Sequence, residues 1–151
     1  MENSITFSHT NLIARDWRKL AKFYIEVFDC KPTYPERDIK EQWIDKMCAL
    51  EDVHLQGVHL QLPGFENGPT LEIFEYNKKG EDHQIQINDL GFSHIAFHVE
   101  NVDSVLQKLL DHGGTMYGKI VEAEVKGKGM LKAVYTKDPE GNIIEIQNWS
   151  Q

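Results

Sequence analysis

The sequence lacks the features that place a chain in a membrane or on nucleic acid. Its longest apolar runs are far too short to cross a bilayer, and its first residues, Met-Glu-Asn-Ser, have neither the basic nor the apolar region of a signal peptide. Aspartate and glutamate outnumber lysine and arginine by 24 to 16, so the net charge is −8 and no basic stripe can neutralise phosphates. These absences predict a cytoplasmic protein that binds neither membranes nor nucleic acids.

Cysteine is also scarce. The two cysteines, Cys30 and Cys48, match no metal-binding or redox spacing, which favours two reduced thiols. What remains is an ordinary globular composition, with 40% hydrophobic and 26% charged residues. A chain of 151 residues is long enough to bury a core as one domain or as two small modules that share one.

The sequence contains a weak internal repeat. The tripeptide Phe7-Ser8-His9 recurs 85 residues later as Phe92-Ser93-His94, and each copy precedes a helix-like segment. Leu71-Glu72-Ile73 has a similar counterpart in Ile144-Glu145-Ile146. Each half of the chain therefore carries a histidine on its first predicted strand and a glutamate on its last.

Hydrophobic periodicity and turn residues predict the same order of elements in both halves: a strand, a helix and three strands. The modules span residues 1–76 and 91–151, and the polar segment 77–90 joins them. Residues 39–50 read as a short helix inserted into the first copy. The predicted strands are 5–13, 30–34, 53–62, 70–76, 92–100, 115–126, 131–137 and 143–149, and the two main helices follow the predicted N-caps Asp16 and Asn101.

The four repeated polar residues carry the candidate chemistry. Glu72 and Glu145 each lie between two apolar residues, so on a strand each carboxylate points to the face opposite its neighbours. Any one of these side chains alone is equally explained by a solvent-facing glutamate or a hydrogen-bonded histidine. Together with His9 and His94, however, they make two imidazoles and two carboxylates. This set suits zinc, nickel, cobalt, manganese or ferrous iron.

Four sets of residues form motifs that together cover nearly the whole chain. They are His9 with Asp16 and Phe23-Tyr24, Leu71-Glu72-Ile73, Ser93-His94-Ile95-Ala96-Phe97, and Asp138-Pro139-Glu140-Gly141-Asn142-Ile143-Ile144-Glu145. These motifs resemble the vicinal oxygen chelate superfamily, which includes glyoxalase I, methylmalonyl-CoA epimerase, extradiol dioxygenases, and fosfomycin and bleomycin resistance proteins. The resemblance implies an α+β fold: one glyoxalase-like domain over residues 1–151, in which two βαβββ modules form a cupped mixed sheet with helices on its convex side. It also implies a divalent metal with His9, Glu72, His94 and Glu145 as ligands.

The four-ligand set points to the isomerase and lyase branch of that superfamily. The reaction expected there is proton abstraction next to a carbonyl of a small oxygenated substrate, with Glu145 or Glu72 as both ligand and base. The alternatives are an epimerase acting on an acyl thioester, a ferrous extradiol-type dioxygenase, and a non-catalytic protein that binds a small molecule such as an antibiotic. Two positions, Ile13 and Tyr76, differ from the pattern with which glyoxalase I binds glutathione.

The substrate pocket is predicted from residues that share the strand faces of the proposed ligands. Asn11 lies two residues after His9, and Phe74 and Tyr76 follow Glu72 on the same face. His98 shares the face of His94, although a hydrogen-bonded core histidine is as good an interpretation. The chain is expected to form a homodimer, with the site built within one chain or between two.

Overall fold

The computed structural model describes residues 3–151 and divides the chain into two compact units, Met1–Asp82 and His83–Gln151. Both units are mixtures of helices and sheet, and the predicted α+β class is confirmed. Among the described residues, no helix combines the length and the apolar character needed to cross a membrane.

The first unit contains a four-stranded mixed sheet in the order β1-β4-β3-β2. The strand β4 pairs in parallel with β1 and antiparallel with β3, which in turn pairs antiparallel with β2. The elements are β1 His9–Ile13, α1 Trp17–Phe28, β2 Lys31–Ile39, α2 Gln42–Cys48, β3 Leu55–Gln61 and β4 Thr70–Tyr76.

The second unit repeats this arrangement. Its sheet runs β5-β9-β8-β6, with β7 also paired to β8, and β5 and β9 are again parallel. The short β6 and the longer β7 occupy the place of β2, so the strand predicted over residues 115–126 is interrupted between residues 116 and 121. The elements are β5 His94–His98, α3 Val102–Asp111, β6 Thr115–Met116, β7 Val121–Val125, β8 Gly129–Lys137 and β9 Ile143–Ser150.

The helices begin where the sequence predicts. The Asp16 carboxylate accepts a hydrogen bond of 3.1 Å from the Lys19 backbone N–H, and Asn101 Oδ1 accepts one of 2.9 Å from Ser104 N–H. The α1 stripe that includes Leu20 and Tyr24 is buried and packs against β3 and β4. α3 packs chiefly against β9.

Two strand boundaries in the first unit differ from the prediction. The first strand begins at His9 rather than residue 5, and the alternating apolar residues Ile5 and Phe7 are exposed. The second strand extends to Ile39, whereas the sequence, with prolines at positions 32 and 35, predicted that it would end at Tyr34. Its register against β3 shifts between Thr33 and Arg37, so the strand continues past Pro35 without ladder pairing there.

The predicted inserted helix is α2, and it determines which part of the first sheet is covered. Its buried residue Ile44 packs with Val53, Leu55 and Phe74 in one apolar cluster. Phe74 lies on the same face of β4 as Glu72, while Leu71 and Ile73 are buried on the opposite face. α2 therefore covers the end of the Glu72 face that lies towards Tyr76.

Candidate functional site

The first unit brings His9 and Glu72 together as the repeat predicts. His9 and Asn11 pair in register with Thr70 and Glu72 across the parallel strands β1 and β4, so their side chains share a face. His9 Nε2 lies 2.8 Å from Glu72 Oε1, and Asn11 Nδ2 donates a 3.2 Å hydrogen bond to the same oxygen. The Glu72 side chain is only 10% exposed, and this carboxylate is one of few buried charged groups in the unit.

A second histidine beside Glu72, His59, is one that no sequence motif predicts. His59 pairs directly with Glu72 across β3 and β4, and its Nε2 lies 2.6 Å from Glu72 Oε2. The other ring nitrogen, Nδ1, lies 3.1 Å from the Thr70 hydroxyl. The signal for His59 is the register between the two strands, which depends on the hairpin and not on any local motif.

The electrostatics of His59 favour a neutral ring. Burial lowers the pKa of His59; the nearby Arg37 and His9 lower it further, while Glu72 acts in the opposite direction. A neutral ring has one N–H, and the carboxylate beside Nε2 requires a donor. Nε2–H therefore donates to Glu72, and Nδ1 accepts from the hydroxyl of Thr70.

The second unit contains the corresponding pair, His94 and Glu145, in a looser arrangement. His94 Nε2 lies 3.4 Å from Glu145 Oε2, and the two side chains are 27% and 18% exposed. The residue opposite Glu145 on β8 is Tyr135, which takes the place that His59 has in the first unit. The Tyr135 ring packs edge-on against His94 with centroids 4.9 Å apart.

The serine that precedes each histidine contacts its ring. Ser8 Oγ lies 3.2 Å from His9 Nδ1, and Ser93 Oγ lies 3.1 Å from His94 Nδ1. The Ser93 hydroxyl also donates to the Ile87 carbonyl at 3.0 Å, so its oxygen must accept the hydrogen on His94 Nδ1. The other ring nitrogen, Nε2, faces the Glu145 carboxylate.

Each unit pairs one imidazole with one carboxylate, and divalent metals accept both kinds of donor. With ligand bonds of about 2.1 Å, two neighbouring ligands of one cation lie roughly 3.0–3.4 Å apart. The His94–Glu145 distance of 3.4 Å falls in this range and is longer than a typical N–H···O hydrogen bond. Within residues 3–151, no three or more His, Cys, Asp and Glu side chains form a group arranged to hold a metal ion. Each unit thus offers a pair of ligands.

The structure places the four predicted pocket residues differently from one another. Asn11 bonds to Glu72, and His98 is exposed on the face of β5 that also carries His94. Phe74 is 8% exposed, and its ring packs against His59 as well as the α2 cluster. For Tyr76 the contacts are also packing contacts with α2, including a 3.5 Å approach of its hydroxyl to Cys48 Sγ. A role for these residues towards a substrate stays a prediction.

Comparison with protein families gives a match over most of the chain. The model of the Glyoxalase/Bleomycin resistance protein/Dioxygenase superfamily matches residues 6–146, which include all four predicted ligands. The chain belongs to this superfamily. Among curated proteins, a lactoylglutathione lyase from Schizosaccharomyces pombe is 24% identical over 95% of this chain and 47% of its own length. The chain spans about half the length of that relative.

Solved structures of the superfamily share the fold of the chain. A glyoxalase family protein from Bacillus cereus superposes with a TM-score of 0.85, at 14% identity, over 99% of this chain and 97% of its own. A genomically encoded fosfomycin resistance protein from Listeria monocytogenes gives a TM-score of 0.58, at 18% identity, over 100% and 94%. At these identities the likeness establishes the glyoxalase-like fold, as predicted from the sequence.

Proposed function

We propose that this protein is a divalent-metal-dependent enzyme of the glyoxalase type, which performs isomerase or lyase chemistry on a small oxygenated substrate. The observation that carries the proposal is the repeated pair. The corresponding ends of two similar sheets each bring a histidine Nε2 close to a glutamate oxygen, at 2.8 Å in the first unit and 3.4 Å in the second. The second distance lies in the range of roughly 3.0–3.4 Å for two ligands on one cation. The match to the superfamily and the distant lactoylglutathione lyase support it.

The proposed ligands are His9, Glu72, His94 and Glu145, two from each unit. When bound, a divalent ion supplies Lewis-acid stabilisation of the negative charge that develops on a substrate oxygen next to the carbonyl. The chain's own residues hold that ion and move the proton. A base is required for the second task because the C–H bond beside a carbonyl is a very weak acid, and the base must reach within about 3 Å of its proton. A carboxylate of the ligand set can supply it.

Glu145 is the better candidate for the base. Glu72 accepts from Asn11 and His59 and contacts His9, so both of its oxygens are engaged. The only described contact of Glu145 of this kind, with His94, is 3.4 Å long. A carboxylate held by fewer hydrogen bonds can turn towards a substrate at lower cost.

The substrate has the chemistry of an α-hydroxy or α-oxo carbonyl compound. The glutathione adduct of such a compound is the first candidate, because the curated relative is a lactoylglutathione lyase. Ile13 and Tyr76 stand where the glyoxalase I pattern has its glutathione-binding residues, and Tyr76 packs against α2. A thiol partner other than glutathione is therefore the second candidate.

The test is metal content and turnover of the full-length protein. After loading with nickel, cobalt, zinc, manganese or ferrous iron, we expect stoichiometric metal and turnover of a methylglyoxal hemithioacetal with one of the first three. Methylmalonyl-CoA and catechol serve as probes for epimerase and dioxygenase activity. His94→Ala should abolish both tight metal binding and turnover, whereas His54→Ala, which removes a surface histidine paired with Asp38, should change neither.

Two results would contradict the proposal. If the protein binds a metal tightly but turns over none of the three substrates, the proposed enzymatic activity is wrong and a ligand-binding role is favoured. Equal metal content in the wild type, His94→Ala and His54→Ala would remove the ligand assignment. The predicted homodimer is measured in the same preparations by light scattering, with an expected mass of twice 17.4 kDa.

A further inference from the structure

One histidine that belongs to neither repeated pair has the most direct contact with a proposed ligand. The imidazole of His59 lies 2.6 Å from Glu72 Oε2, closer than His9 lies to the other oxygen, and it is 18% exposed. The distance joins a ring N–H to a carboxylate, which makes it a charge-assisted hydrogen bond.

The surroundings of His59 fix both the position of its ring and the direction of its proton. The Thr70 hydroxyl contacts Nδ1 at 3.1 Å, and the Phe74 ring packs edge-on against the imidazole with centroids 5.7 Å apart. Its backbone carbonyl accepts a 2.9 Å hydrogen bond from the Thr33 hydroxyl on β2. His59 is therefore held from the two neighbouring strands, β4 and β2, with Nε2–H directed at Glu72.

This contact has no counterpart in the second unit. The register that places His59 opposite Glu72 places Tyr135 opposite Glu145, and the Tyr135 ring packs against His94 instead. The two glutamates occupy corresponding places in the repeat but are held differently. The difference arises from one position on the third strand of each unit.

We propose that His59 is a positioning residue that orients the Glu72 carboxylate for metal binding, by holding Oε2 so that Oε1 faces the cation. The inference rests on the proposed function, in which Glu72 is a metal ligand. Hydrogen-bonding partners of metal ligands commonly contribute 10- to 100-fold to metal affinity, because they fix the ligand in its bound orientation. Glu72 can then stay bound to the metal while Glu145 accepts the proton of the substrate.

The test measures the affinity of the full-length protein for Co²⁺ by its visible absorption, with no substrate present. We expect His59→Ala to weaken Co²⁺ binding by about 10- to 100-fold and to alter the absorption spectrum. His59→Gln should restore most of the affinity, because a glutamine amide can still donate to Oε2. Thr70→Val, which removes only the support at Nδ1, should give a smaller loss.

The matched control is His54→Ala, which removes a histidine–carboxylate pair near the start of the same strand but away from the proposed ligands. It should bind Co²⁺ as the wild type does. Melting temperatures of the metal-free variants show whether each one folds. If His59→Ala does not fold, the Co²⁺ affinities of His59→Gln and Thr70→Val still test the positioning role.

The outcomes separate the two proposals. If wild type binds Co²⁺ tightly and folded His59→Ala binds it equally well, the positioning role is overturned and the proposed function stands. If His59→Gln is as weak as His59→Ala, the ring's packing and not its hydrogen bond is responsible, which also overturns it. If wild type takes up no stoichiometric Co²⁺ or other divalent metal, the proposed function fails and the positioning role fails with it.

Discussion

At the scale of single residues, the two proposed ligand pairs differ in how many hydrogen bonds hold each glutamate. Glu72 is 10% exposed and engages both oxygens, whereas Glu145 is 18% exposed and has the single longer contact with His94. A ligand that must also act as a base has to leave its ground-state partners, and each hydrogen bond it breaks adds to the barrier. Under the proposed function, these surroundings favour Glu72 as the metal ligand and Glu145 as the base.

Substituting each glutamate by glutamine tests this division of roles. We expect Glu145→Gln to retain metal while kcat falls by about 10²- to 10⁴-fold, the usual contribution of a general base, because an amide cannot accept the proton. Glu72→Gln should instead weaken metal binding, because it replaces the charged carboxylate that the surrounding hydrogen bonds hold in place. The measurement is turnover at saturating metal beside a separate metal titration. Unchanged turnover of Glu145→Gln on the true substrate would remove Glu145 from the role of base.

Sequence alone was sufficient for the repeated pairs but not for their neighbours. His9, Glu72, His94 and Glu145 follow from local alternation and from an internal repeat, both of which are visible in one dimension. His59 meets Glu72 only because of the register between β3 and β4, and a shift of one residue would turn it to the other face. Register depends on the turn and on packing across the sheet, and no short motif specifies it.

At the scale of elements, the best predicted segments are those bounded by strong chemical signals. The turn before β9 is one: Asp138 Oδ1 accepts from the backbone N–H groups of Glu140 and Asn142, at 2.8 and 3.0 Å. β4 likewise spans Thr70–Tyr76 as predicted. β1 was predicted too long because Ile5 and Phe7 alternate like a strand but lie outside the paired residues of β1. β2 was predicted too short because Pro35 falls where the ladder is interrupted and the strand continues beyond it.

The close approach of β3 and β4 predicts the effect of a single methyl group. A Cβ added at Gly57 would lie 2.1 Å from the Ile73 carbonyl oxygen and 2.5 Å from Phe74 Cδ1. Gly57→Ala should therefore lower the free energy of unfolding by about 1–3 kcal/mol, as overpacked sites do. The control is Gly118→Ala, where an added Cβ meets no atom within 4 Å, and its change should stay within about 0.5 kcal/mol. Urea denaturation measures both, and equal stability of the two variants would contradict the prediction.

Because Tyr76 lies in the contact between α2 and the end of β4, the first unit is expected to lose stability at alkaline pH. Burial raises the pKa of the Tyr76 phenol to about 12, and its hydrogen bond with Cys48 adds to the shift. In an unfolded chain this phenol ionises near pH 10. A raised pKa in the folded state means that the stabilising contribution is complete below about pH 10 and is lost as the pH rises through about 12.

The matched variant for this effect is Tyr76→Phe, which keeps the ring but has no ionisable group. The difference in unfolding free energy between the wild type and Tyr76→Phe should be constant up to about pH 10 and should then change in favour of the variant. Ionisable groups that do not contact the Tyr76 hydroxyl are common to both proteins and cancel in the difference. Urea denaturation at pH 8, 10 and 11 measures it, and a difference that stays constant over this range would contradict the raised pKa.

At the scale of the whole molecule, the repeat explains why the candidate ligands come in pairs. Each unit has one parallel strand pair, β1 with β4 or β5 with β9, and this pairing places the histidine of one strand near the glutamate of the other. A pair of ligands binds a divalent ion only weakly, because structural and catalytic sites use three or four protein ligands. Two pairs are the smallest complete set that the repeat can supply.

The number of bound ions tests this reading directly. If the two pairs share one cation, the protein should bind one tightly held divalent ion per chain, and His9→Ala and His94→Ala should each lose almost all of it. If each unit instead held an ion of its own, the wild type would bind two per chain and each variant would keep one. Mass spectrometric metal analysis after removal of weakly bound ions distinguishes these cases. Because each single variant leaves the opposite pair intact, a remaining stoichiometric ion in either one would show that a pair suffices, and the four-ligand proposal would be wrong.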